Sequence, residues 1–378
     1  MKNPSIISVA AIGNVADINT FSGTPYHFFH FAKQEKLCEI GWEMDLSKIG
    51  VHRKWWNLLQ ILQLRRYGGF QYSDYFENQI LKQIPKEYLG TEVISFNQFF
   101  PSAKIIKNHG GKIYYYLDAT FKQLLERYGV ENIIGKRNIQ KILEKEKRNF
   151  ELADKVVAFQ NWCKDSIIDD YEVDSKKVNV ILPGANLIIP QNYRPVSREE
   201  GKIIGKDSPL VLGFIGKDWK RKGLPLIISL RKQLEGRGYK VIVRCIGNAP
   251  DELKNEKGVE FLGFIDKNRD IQAFCDFITS CDIGCLFSTA EFSSISVLEF
   301  IRLSVPVAGF IVDGMGDLYF EECSLRFKVT DSLEKIVDSF ETVLKEPQKY
   351  NLLKQGAKNL STHASWRRCI EEWEKILI

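Results

Sequence analysis

The sequence predicts an α/β protein with two doubly wound domains, and three observations lead to this prediction. The chain has 378 residues, which is more than one hydrophobic core usually serves. Short β-rich runs alternate with longer helical stretches in both halves, the pattern of parallel sheets covered by helices on both faces. Between the halves, residues 187 to 209 contain three prolines and little periodicity, as expected of an interdomain linker.

The first domain is predicted over residues 1 to 187. Five apolar runs of strand length occur in it: "SIISVAAIG" (5 to 13), "EVISF" (92 to 96), "KIYYYLD" (112 to 118), "DKVVAFQ" (154 to 160) and "VNVILPGAN" (178 to 186). A helix is predicted over 25 to 37. Most of 119 to 150 is also predicted to be helical, with its many charges on a solvated face.

The second domain is predicted over residues 209 to 360, after a linker over 188 to 208. Its strands are "PLVLGFIG" (209 to 216), "KVIVRCIG" (240 to 247), "VEFLGFI", "DIGCLF" and "PVAGFI". One helix is predicted over 224 to 235 and another passes through Glu299. The alternation of these elements again predicts a parallel sheet.

Composition and charge exclude several classes of protein. The chain is 44% hydrophobic and 27% charged, as in soluble globular proteins, and it has no run of the ~20 apolar residues that a membrane span needs. A net charge of +5 is too small to indicate nucleic-acid binding. The eight scattered cysteines predict free thiols in a reducing compartment. Cys281 and Cys285 could instead bind a metal ion, but no second pair accompanies them.

The first unusual strand-to-helix junction is "GFIGKDWKRKGLPL", where Gly216 is followed by Lys217, Lys220, Arg221 and Lys222. Glycine lets the backbone approach a ligand closely, and cations beside a helix N-terminus suit an anion such as a diphosphate. A loop of exposed lysines without a ligand is the alternative. The junction is therefore a candidate phosphate site.

The second junction is "AEFSSISVLEF", residues 290 to 300. A helix is predicted to begin near Ser293 or Ser294, because serine is a favoured N-cap, and the free N–H groups of the first turn bind anions. Glu299 would lie about 7.5 Å further along the helix axis than Ser294. A ligand whose phosphate binds at the helix start could reach Glu299 with an attached ribose. Glu291 would face the other end of the ligand. Each glutamate taken alone is better explained as a surface residue or a cap partner, and the functional interpretation depends on the pair and its surroundings.

These two junctions and the segments around them resemble the donor-binding part of retaining family 4 glycosyltransferases (glycosyl transferases group 1). The resemblance lies in the two glutamates with seven residues between them, in "VPVAG", "VDGMGD", "GFIGKDWKRKG" and "VEFLGFIDKN", in "ADKVVAFQNWCKDSI" with "VNVILPGAN", and in the closing "SWRRCIEEWEKIL". It covers the chain from about residue 110 to the end. It implies the GT-B fold, in which two Rossmann-like domains face each other across a cleft and a terminal helix, here 361 to 378, crosses back to the first domain.

The resemblance also implies roles for individual residues. Lys217 and Lys222 stand at the positions that bind the diphosphate and stabilise it as it departs. Glu299 matches the glutamate that accepts hydrogen bonds from the ribose, and Glu291 matches the one that orients the transferred sugar. Gly216, Ser293, Ser294 and Ile295 complete the expected donor-binding set.

Three departures from the family pattern concern this same site. The chain has Ser293 and Ser294 where the family commonly has Phe-Gly, and Asp313 and Gly314 where it has Gly-Gly. Lysine at 217 replaces an arginine, which keeps the charge and loses the bidentate geometry. These changes alter the space available near the transferred sugar.

Residues of the first domain are expected to face the acceptor. In "NTFSGTPYH", Gly23 and Thr24 are the counterpart of the family's glycine-rich loop after the first strand. Asp118 and Thr120, in "YYYLDATFKQL", are expected to face the cleft, and Asp118 is assigned to the catalytic set. Asp118 could instead be a helix N-cap.

The segment 51 to 67, "VHRKWWNLLQILQLRRY", is predicted to be a helix with basic ends and a broad apolar face that includes Trp55 and Trp56. It could be a core helix of the first domain. It could also lie on an anionic bilayer, as would suit an enzyme with a lipid-linked acceptor. Because the chain contains no Asp-x-Asp, no metal ion and no other cofactor is expected to be required.

The predicted function is transfer of a sugar from a nucleoside-diphosphate sugar to a hydroxyl of a glycan, lipid-linked or other acceptor, with retention of anomeric configuration. The expected setting is polysaccharide biosynthesis in the cytoplasm, with a peripheral contact at the inner membrane face as an alternative. A non-catalytic nucleotide-sugar-binding subunit, or a phosphorylase or epimerase of the same fold, would have similar donor half-sites. A dinucleotide-dependent dehydrogenase is disfavoured, because "AIGNVAD" after the first strand offers one glycine in place of Gly-x-Gly-x-x-Gly.

Overall fold

A computed structural model describes residues 6 to 47, 49 to 62, 68 to 195 and 204 to 377 of the chain. Its contacts divide the chain into two compact units. The first unit contains Met1–Pro183 and Cys369–Ile378, and the second contains Gly184–Arg368. Part of the segment assigned to the linker, residues 196 to 203, lies outside the described residues.

The first unit is built on a parallel sheet of six strands: β1 (Ile7–Ala10), β2 (Ile40–Gly41), β3 (Glu92–Ser95), β4 (Lys112–Leu117), β5 (Lys155–Ala158) and β6 (Val178–Val180). The strand order is β2-β1-β3-β4-β5-β6. The strand order reverses at β1: the next strand in sequence, β2, pairs with one side of β1, and the one after it, β3, pairs with the other side. Ligands of doubly wound folds bind at the carboxyl ends of strands beside such a reversal.

The described part of the first unit before residue 183 contains the α-helices α1 (Thr24–Gln34), α2 (Ile49–Leu62), α3 (Asp74–Leu81), α4 (Ala103–Asn108), α5 (Phe121–Tyr128), α6 (Lys136–Leu152) and α7 (Asn161–Asp169). The core beneath them is rich in aromatic residues. In the C-terminal segment of the same unit, Trp373 is fully buried, and its ring centroid lies 6.0 Å from that of Phe28 and 5.2 Å from that of Tyr116. The end of the chain thus contributes to the core of the first unit.

The second unit has a second parallel sheet of six strands: β7 (Leu210–Gly216), β8 (Val241–Gly247), β9 (Val259–Phe261), β10 (Ile283–Leu286), β11 (Val307–Phe310) and β12 (Ser324–Phe327). Their order is β12-β11-β10-β7-β8-β9. The flanking helices are α8 (Leu224–Gly236), α9 (Asp251–Lys254), α10 (Ile271–Thr279), α11 (Ile295–Arg302), α12 (Leu333–Lys345), α13 (Pro347–Leu360) and α14 (Trp366–Leu377), the last of which continues into the first unit. Two doubly wound sheets are thus present, as the sequence predicts.

The charged helix α6 contains one buried carboxylate, that of Glu146. The sequence analysis placed all the charges of this helix on a solvated face and did not predict it. The Glu146 side chain is fully buried, and its Oε1 accepts hydrogen bonds from Gln98 Nε2 (2.9 Å) and from the backbone N–H of Phe121 (2.8 Å). Its other oxygen accepts one from the Tyr171 hydroxyl. Burial raises the pKa of Glu146 to about 7, although these three donors oppose the rise.

Replacement of Glu146 by glutamine is expected to remove a decrease in the free energy of unfolding that the wild type shows as the pH rises. Because its pKa is about 7 when folded and has an ordinary value of 4.5, the group stabilises the fold fully below about pH 4.5. This stabilisation is lost as the pH rises through 7. At pH 8 the variant should be more stable than the wild type, by up to about 3 kcal/mol. Urea unfolding between pH 5 and 8 measures this, with exposed Glu144→Gln on the same helix as the control; parallel profiles for Glu146→Gln and wild type would contradict it.

Candidate functional site

The candidate site lies at the carboxyl ends of β7 and β10, which pair in parallel although β8 and β9 separate them in sequence. This pairing is the point where the strand order of the second sheet reverses. The loop after β7 is the basic junction that ends at Gly223, and the loop after β10 leads to the first residues of α11. The sheet topology therefore brings the two junctions singled out in the sequence together.

An ion-pair cluster joins these two loops. Glu291 Oε2 lies 3.1 Å from Lys222 Nζ and 3.1 Å from Arg221 Nη1, and Ser288 Oγ donates a hydrogen bond to it (3.3 Å). The side chains of Glu291 and Lys222 are 12% and 17% exposed, so both groups are accessible yet partly desolvated. Ionic interactions are stronger in such a place than in bulk water.

Two glycines make this arrangement sterically feasible. A Cβ at Gly216 would lie 2.7 Å from the Cδ of Lys222, so the missing side chain leaves room for the lysine stem. Gly223 is the N-cap of α8 with φ +83°, and a Cβ there would lie 2.5 Å from the carbonyl oxygen of Phe287. Glycine at 223 thus permits the close approach of the two loops.

Replacement of Gly223 by alanine is expected to lower the free energy of unfolding by about 2 kcal/mol, since the new methyl group would meet backbone at a left-handed φ. Gly236→Ala at the end of α8 is the matched control, because, beyond its neighbours and the backbone of its own helix, no atom lies within 4 Å of a Cβ built there. Alanine at 236 should be neutral or slightly stabilising. Urea denaturation of the two variants measures the difference, and equal stabilities would contradict the steric argument.

Three serines, Ser293, Ser294 and Ser296, lie at the start of α11. Ser294 is the N-cap, in agreement with the sequence prediction, and Ile295 begins the helix. The Ser294 and Ser296 hydroxyl oxygens are 2.8 Å apart, while Ser293 Oγ is buried and has no hydrogen-bond partner. Free backbone N–H groups at this helix start can accept an anion.

Glu299, one turn further along α11, is fully buried and forms an ion pair with Lys267. The ammonium of Lys267 also lies 4.4 Å from the ring centroid of Phe274, a cation–π geometry that fixes its position. Burial raises the pKa of Glu299, and the charges of Lys267 and Lys222 oppose this rise. Lys222 thus forms an ion pair with Glu291 and also favours the ionised form of Glu299 through its charge, lowering the pKa of that carboxyl.

Asp313 shows why a glycine would suit its position. Its φ is +50°, in the left-handed region that glycine adopts without strain. Its Oδ2 accepts a hydrogen bond from the backbone N–H of Glu291 (3.1 Å). Asp313 thus stands where a glycine would be free of strain, and its side chain holds the loop that carries Glu291.

Among the described residues, Lys217 forms none of the ion pairs of this cluster. Its side chain is exposed, and its ammonium lies 5.5 Å from the ring centroid of Phe264. Arg221 contacts Glu291 instead. The sequence analysis named Arg221 only as one cation of the loop. Its position directly before Lys222 and Gly223 was the feature that could have indicated a contact with Glu291.

In the first unit, the loop after β1 has an unusual backbone. Phe21, Ser22 and Gly23 have φ values of 45°, 57° and 82°. Gly23 is the N-cap of α1, and Thr24, which follows it, is buried in the first turn. Phe21 and Ser22 store backbone strain, since non-glycine residues rarely adopt this region, and such strain clusters at functional sites.

The region after β4 differs from the sequence expectation. Thr120, not Asp118, is the N-cap of α5, and its hydroxyl accepts a hydrogen bond from the backbone N–H of Gln123. The Thr120 side chain is buried and also contacts Ser166, with 2.8 Å between the hydroxyl oxygens. The N-cap alternative for Asp118 was therefore wrong, and Thr120 is not open to a ligand. Asp118 is half-buried at the carboxyl end of β4.

The remaining sequence alternatives concern thiols and membranes. All eight cysteines are free and buried, as predicted. No group of three or more His, Cys, Asp or Glu side chains in the described part of the chain could hold a metal ion. Among the described helices, none is both long and apolar enough to cross a bilayer.

Comparison with known proteins places the fold. No protein-family model and no curated protein sequence matches the chain. Solved structures do match it along nearly its whole length. Sucrose-phosphate synthase from Thermosynechococcus elongatus is 11% identical, with 98% of each chain covered and a TM-score of 0.67. WaaG, a glycosyltransferase involved in lipopolysaccharide biosynthesis, is 15% identical, with 98% of this chain and 99% of WaaG covered and a TM-score of 0.65.

HepE from Anabaena, solved in complex with UDP and glucose, is 13% identical, with 99% of each chain covered and a TM-score of 0.61. At these identities the similarity establishes the architecture. The chain has the two-domain α/β architecture of GT-B proteins, and the fold class predicted from the sequence is confirmed.

Proposed function

We propose that the protein is a glycosyltransferase that moves a sugar from a nucleoside-diphosphate sugar to a hydroxyl group. The observation that carries this proposal is the charge cluster at the start of α11, where Lys222 and Arg221 form ion pairs with Glu291 and the buried Glu299 forms one with Lys267. Cations and two carboxylates beside a helix N-terminus suit a ligand with an anionic centre and hydroxyl groups on either side of it.

The diphosphate is assigned to the first turn of α11. Backbone N–H groups at Ser294 and Ile295 and the unpartnered hydroxyl of Ser293 supply hydrogen-bond donors there. Lys222 and Arg221 supply positive charge from the facing loop. An ammonium has three donor hydrogens, so Lys222 can keep one on Glu291 and direct others to phosphate oxygens. A contact between the exposed Lys217 and the phosphates remains a prediction from the sequence.

The two glutamates take different parts of the donor. We assign the ribose hydroxyls to Glu299 and the hydroxyls of the transferred sugar to Glu291. A carboxylate accepts two such bonds well only when it is ionised, and the ion pair with Lys267 favours the ionised form of Glu299 against its burial. Lys267 is therefore proposed as a positioning residue for the ribose.

The reaction proposed is transfer with retention. The acceptor oxygen bonds to the anomeric carbon on the face from which the diphosphate leaves, and a diphosphate oxygen takes the acceptor proton. Negative charge grows on the departing diphosphate, and Lys222 and Arg221 would stabilise it. We propose that no metal ion is required, since two cationic side chains stand where that charge develops; activity retained in EDTA is the expected result.

The acceptor is assigned to the first unit, where the strained loop at Gly23 and the half-buried Asp118 follow strand ends. A glycan or lipid-linked acceptor fits the resemblance to family 4 transferases. The UDP complex of HepE, a protein with the same fold, makes UDP-sugars the first donors to examine.

A non-catalytic nucleotide-sugar-binding subunit is the second candidate. The observation that favours it is that both glutamates already have cationic partners, Glu299 with Lys267 and Glu291 with Lys222 and Arg221. Such a protein would bind a donor without transferring its sugar.

The first experiment is a thermal-shift panel of UDP-, GDP-, ADP- and dTDP-sugars, since a ligand at ~100 times its dissociation constant adds about 2.7 kcal/mol. Stabilisation by one nucleotide series, followed by release of nucleoside diphosphate in the presence of acceptor glycans, supports the transferase. Stabilisation without turnover over an acceptor panel supports the binding subunit. No stabilisation by any series would contradict both.

A further inference from the structure

Helix α2 carries a stripe of apolar side chains on its outer surface. Val51, Trp55, Leu58 and Leu62 are 63%, 62%, 46% and 70% exposed. They follow one another at spacings of four, three and four residues, which places them on one helix face. Leu59, 50% exposed, widens the stripe. Contiguous exposed apolar surface of this kind marks an interaction site.

The opposite face of α2 packs on the first unit through both apolar and polar residues, and Ile49 on it is buried in the core. Gln60 is buried and accepts a hydrogen bond from Asn138 Nδ2 (3.3 Å), and His52 contacts the Tyr75 hydroxyl (2.8 Å). Trp56 is half-buried, with its ring centroid 5.8 Å from that of Phe70. A helix that only packed on the core would present its leucines inward. The core-helix alternative agrees with the inward side, where Ile49 and Trp56 pack on the core, and it does not explain the exposed leucines of the outward side.

The charge of the segment indicates what covers this face. Residues 46 to 73 contain five Lys or Arg residues and no Asp or Glu. Two of them, Arg53 and Lys54, are exposed on α2 itself. The other three, Lys48, Arg65 and Arg66, lie outside the described residues. Apolar side chains combined with cations alone suit a surface that is apolar inside and anionic outside.

We infer that the outward face of α2 docks on an anionic lipid bilayer. Leu58 and Leu62 would enter the acyl boundary, Trp55 would lie at the interface, and Arg53 and Lys54 would contact lipid phosphates. Symmetric pairing of two copies through this face would bring the cations of one copy towards those of the other, which is unfavourable. The docking inference does not depend on the proposed transferase activity.

The test is co-sedimentation of the full chain with phosphatidylcholine vesicles and with vesicles that also contain phosphatidylglycerol. The wild type should bind the anionic vesicles. Trp55→Ser combined with Leu58→Ser and Leu62→Ser should weaken binding at least about tenfold. Arg53→Glu combined with Lys54→Glu should weaken it more than fivefold, since each cation near the surface adds ~1 kcal/mol.

Leu352→Ser is the matched control, because Leu352 is an equally exposed leucine (69%) on helix α13 of the other unit. It should leave binding unchanged. Trp56 is not substituted, because its half-buried ring supports the fold. Unchanged vesicle binding by the triple-serine variant would overturn the inference. The inference would also be overturned if the wild type did not bind vesicles but formed an oligomer in lipid-free buffer, and if the triple-serine variant were monomeric.

Discussion

Replacement of Lys222 by alanine is expected to lower turnover about 100- to 1000-fold, the loss that follows removal of one group that stabilises developing charge. Lys222 lies 3.1 Å from Glu291, and its charge also favours the ionised form of Glu299 by lowering the pKa of that carboxyl. The same change should weaken nucleoside-diphosphate binding, because the lysine would contact the diphosphate in both the bound donor and the departing group. Steady-state kinetics and calorimetric titration measure the two effects.

Lys220→Ala is the matched control, since Lys220 is an exposed lysine two residues earlier in the same loop. It should change turnover less than about threefold, because screened surface charges contribute little. Similar losses for Lys220→Ala and Lys222→Ala would indicate a general effect of loop charge. Unchanged kinetics of Lys222→Ala would remove this residue from the site.

The strands of both sheets could be predicted because most of them are continuous apolar runs, as buried parallel strands require. Strands β2 and β12 were missed for local reasons. β2 has two residues, and β12 reads "SLRF", in which Arg326 is exposed at the edge of its sheet. Edge strands bury less surface, so their sequences carry a weaker apolar signal.

The candidate site was predictable where its residues are adjacent in sequence. Lys222 and Glu291 occur at strand-to-helix junctions, and the strand order brings these junctions together. Lys267 could not be found in this way, because it reaches Glu299 from a loop 32 residues earlier and no local pattern marks it. Thr120 was misread because a threonine three residues before glutamine is also a capping box. That pattern was present in "TFKQ" and predicts a helix start.

The face of α2 shows a limit of periodicity itself. The spacing of Trp55, Leu58 and Leu62 predicts an amphipathic helix, and the helix is present. Periodicity defines which residues share a face and carries no information about which face turns inward. Only the structure reveals that Gln60 is buried while Leu62 is exposed.

Replacement of Lys267 by alanine is expected to lower the free energy of unfolding by roughly 2 to 3 kcal/mol at pH 8 and to weaken donor binding about tenfold or more. The Glu299 side chain is 2% exposed, so loss of its partner leaves a buried charge. The cost stays below the ~3 to 5 kcal/mol of fully buried pairs, because Lys267 itself is 27% exposed. Urea unfolding and nucleotide titration measure the two losses, with the exposed pair of Lys349 and Glu346 as control: Lys349→Ala should cost less than about 0.5 kcal/mol.

The pH dependence separates this explanation from a simple loss of packing. Without Lys267 the pKa of Glu299 rises further above its unfolded value, so the protonated carboxyl stabilises the fold at low pH and this contribution is lost as the pH rises through the folded pKa. The stability lost on Lys267→Ala should therefore be smaller at pH 5 than at pH 8. Lys267→Met combined with Glu299→Gln should recover most of the stability, because no buried charge is left, yet it should not recover donor binding, because the ribose would lose an ionised acceptor. Equal losses at both pH values, or donor binding restored in the double variant, would show that Lys267 supports the fold without positioning Glu299 for a ligand.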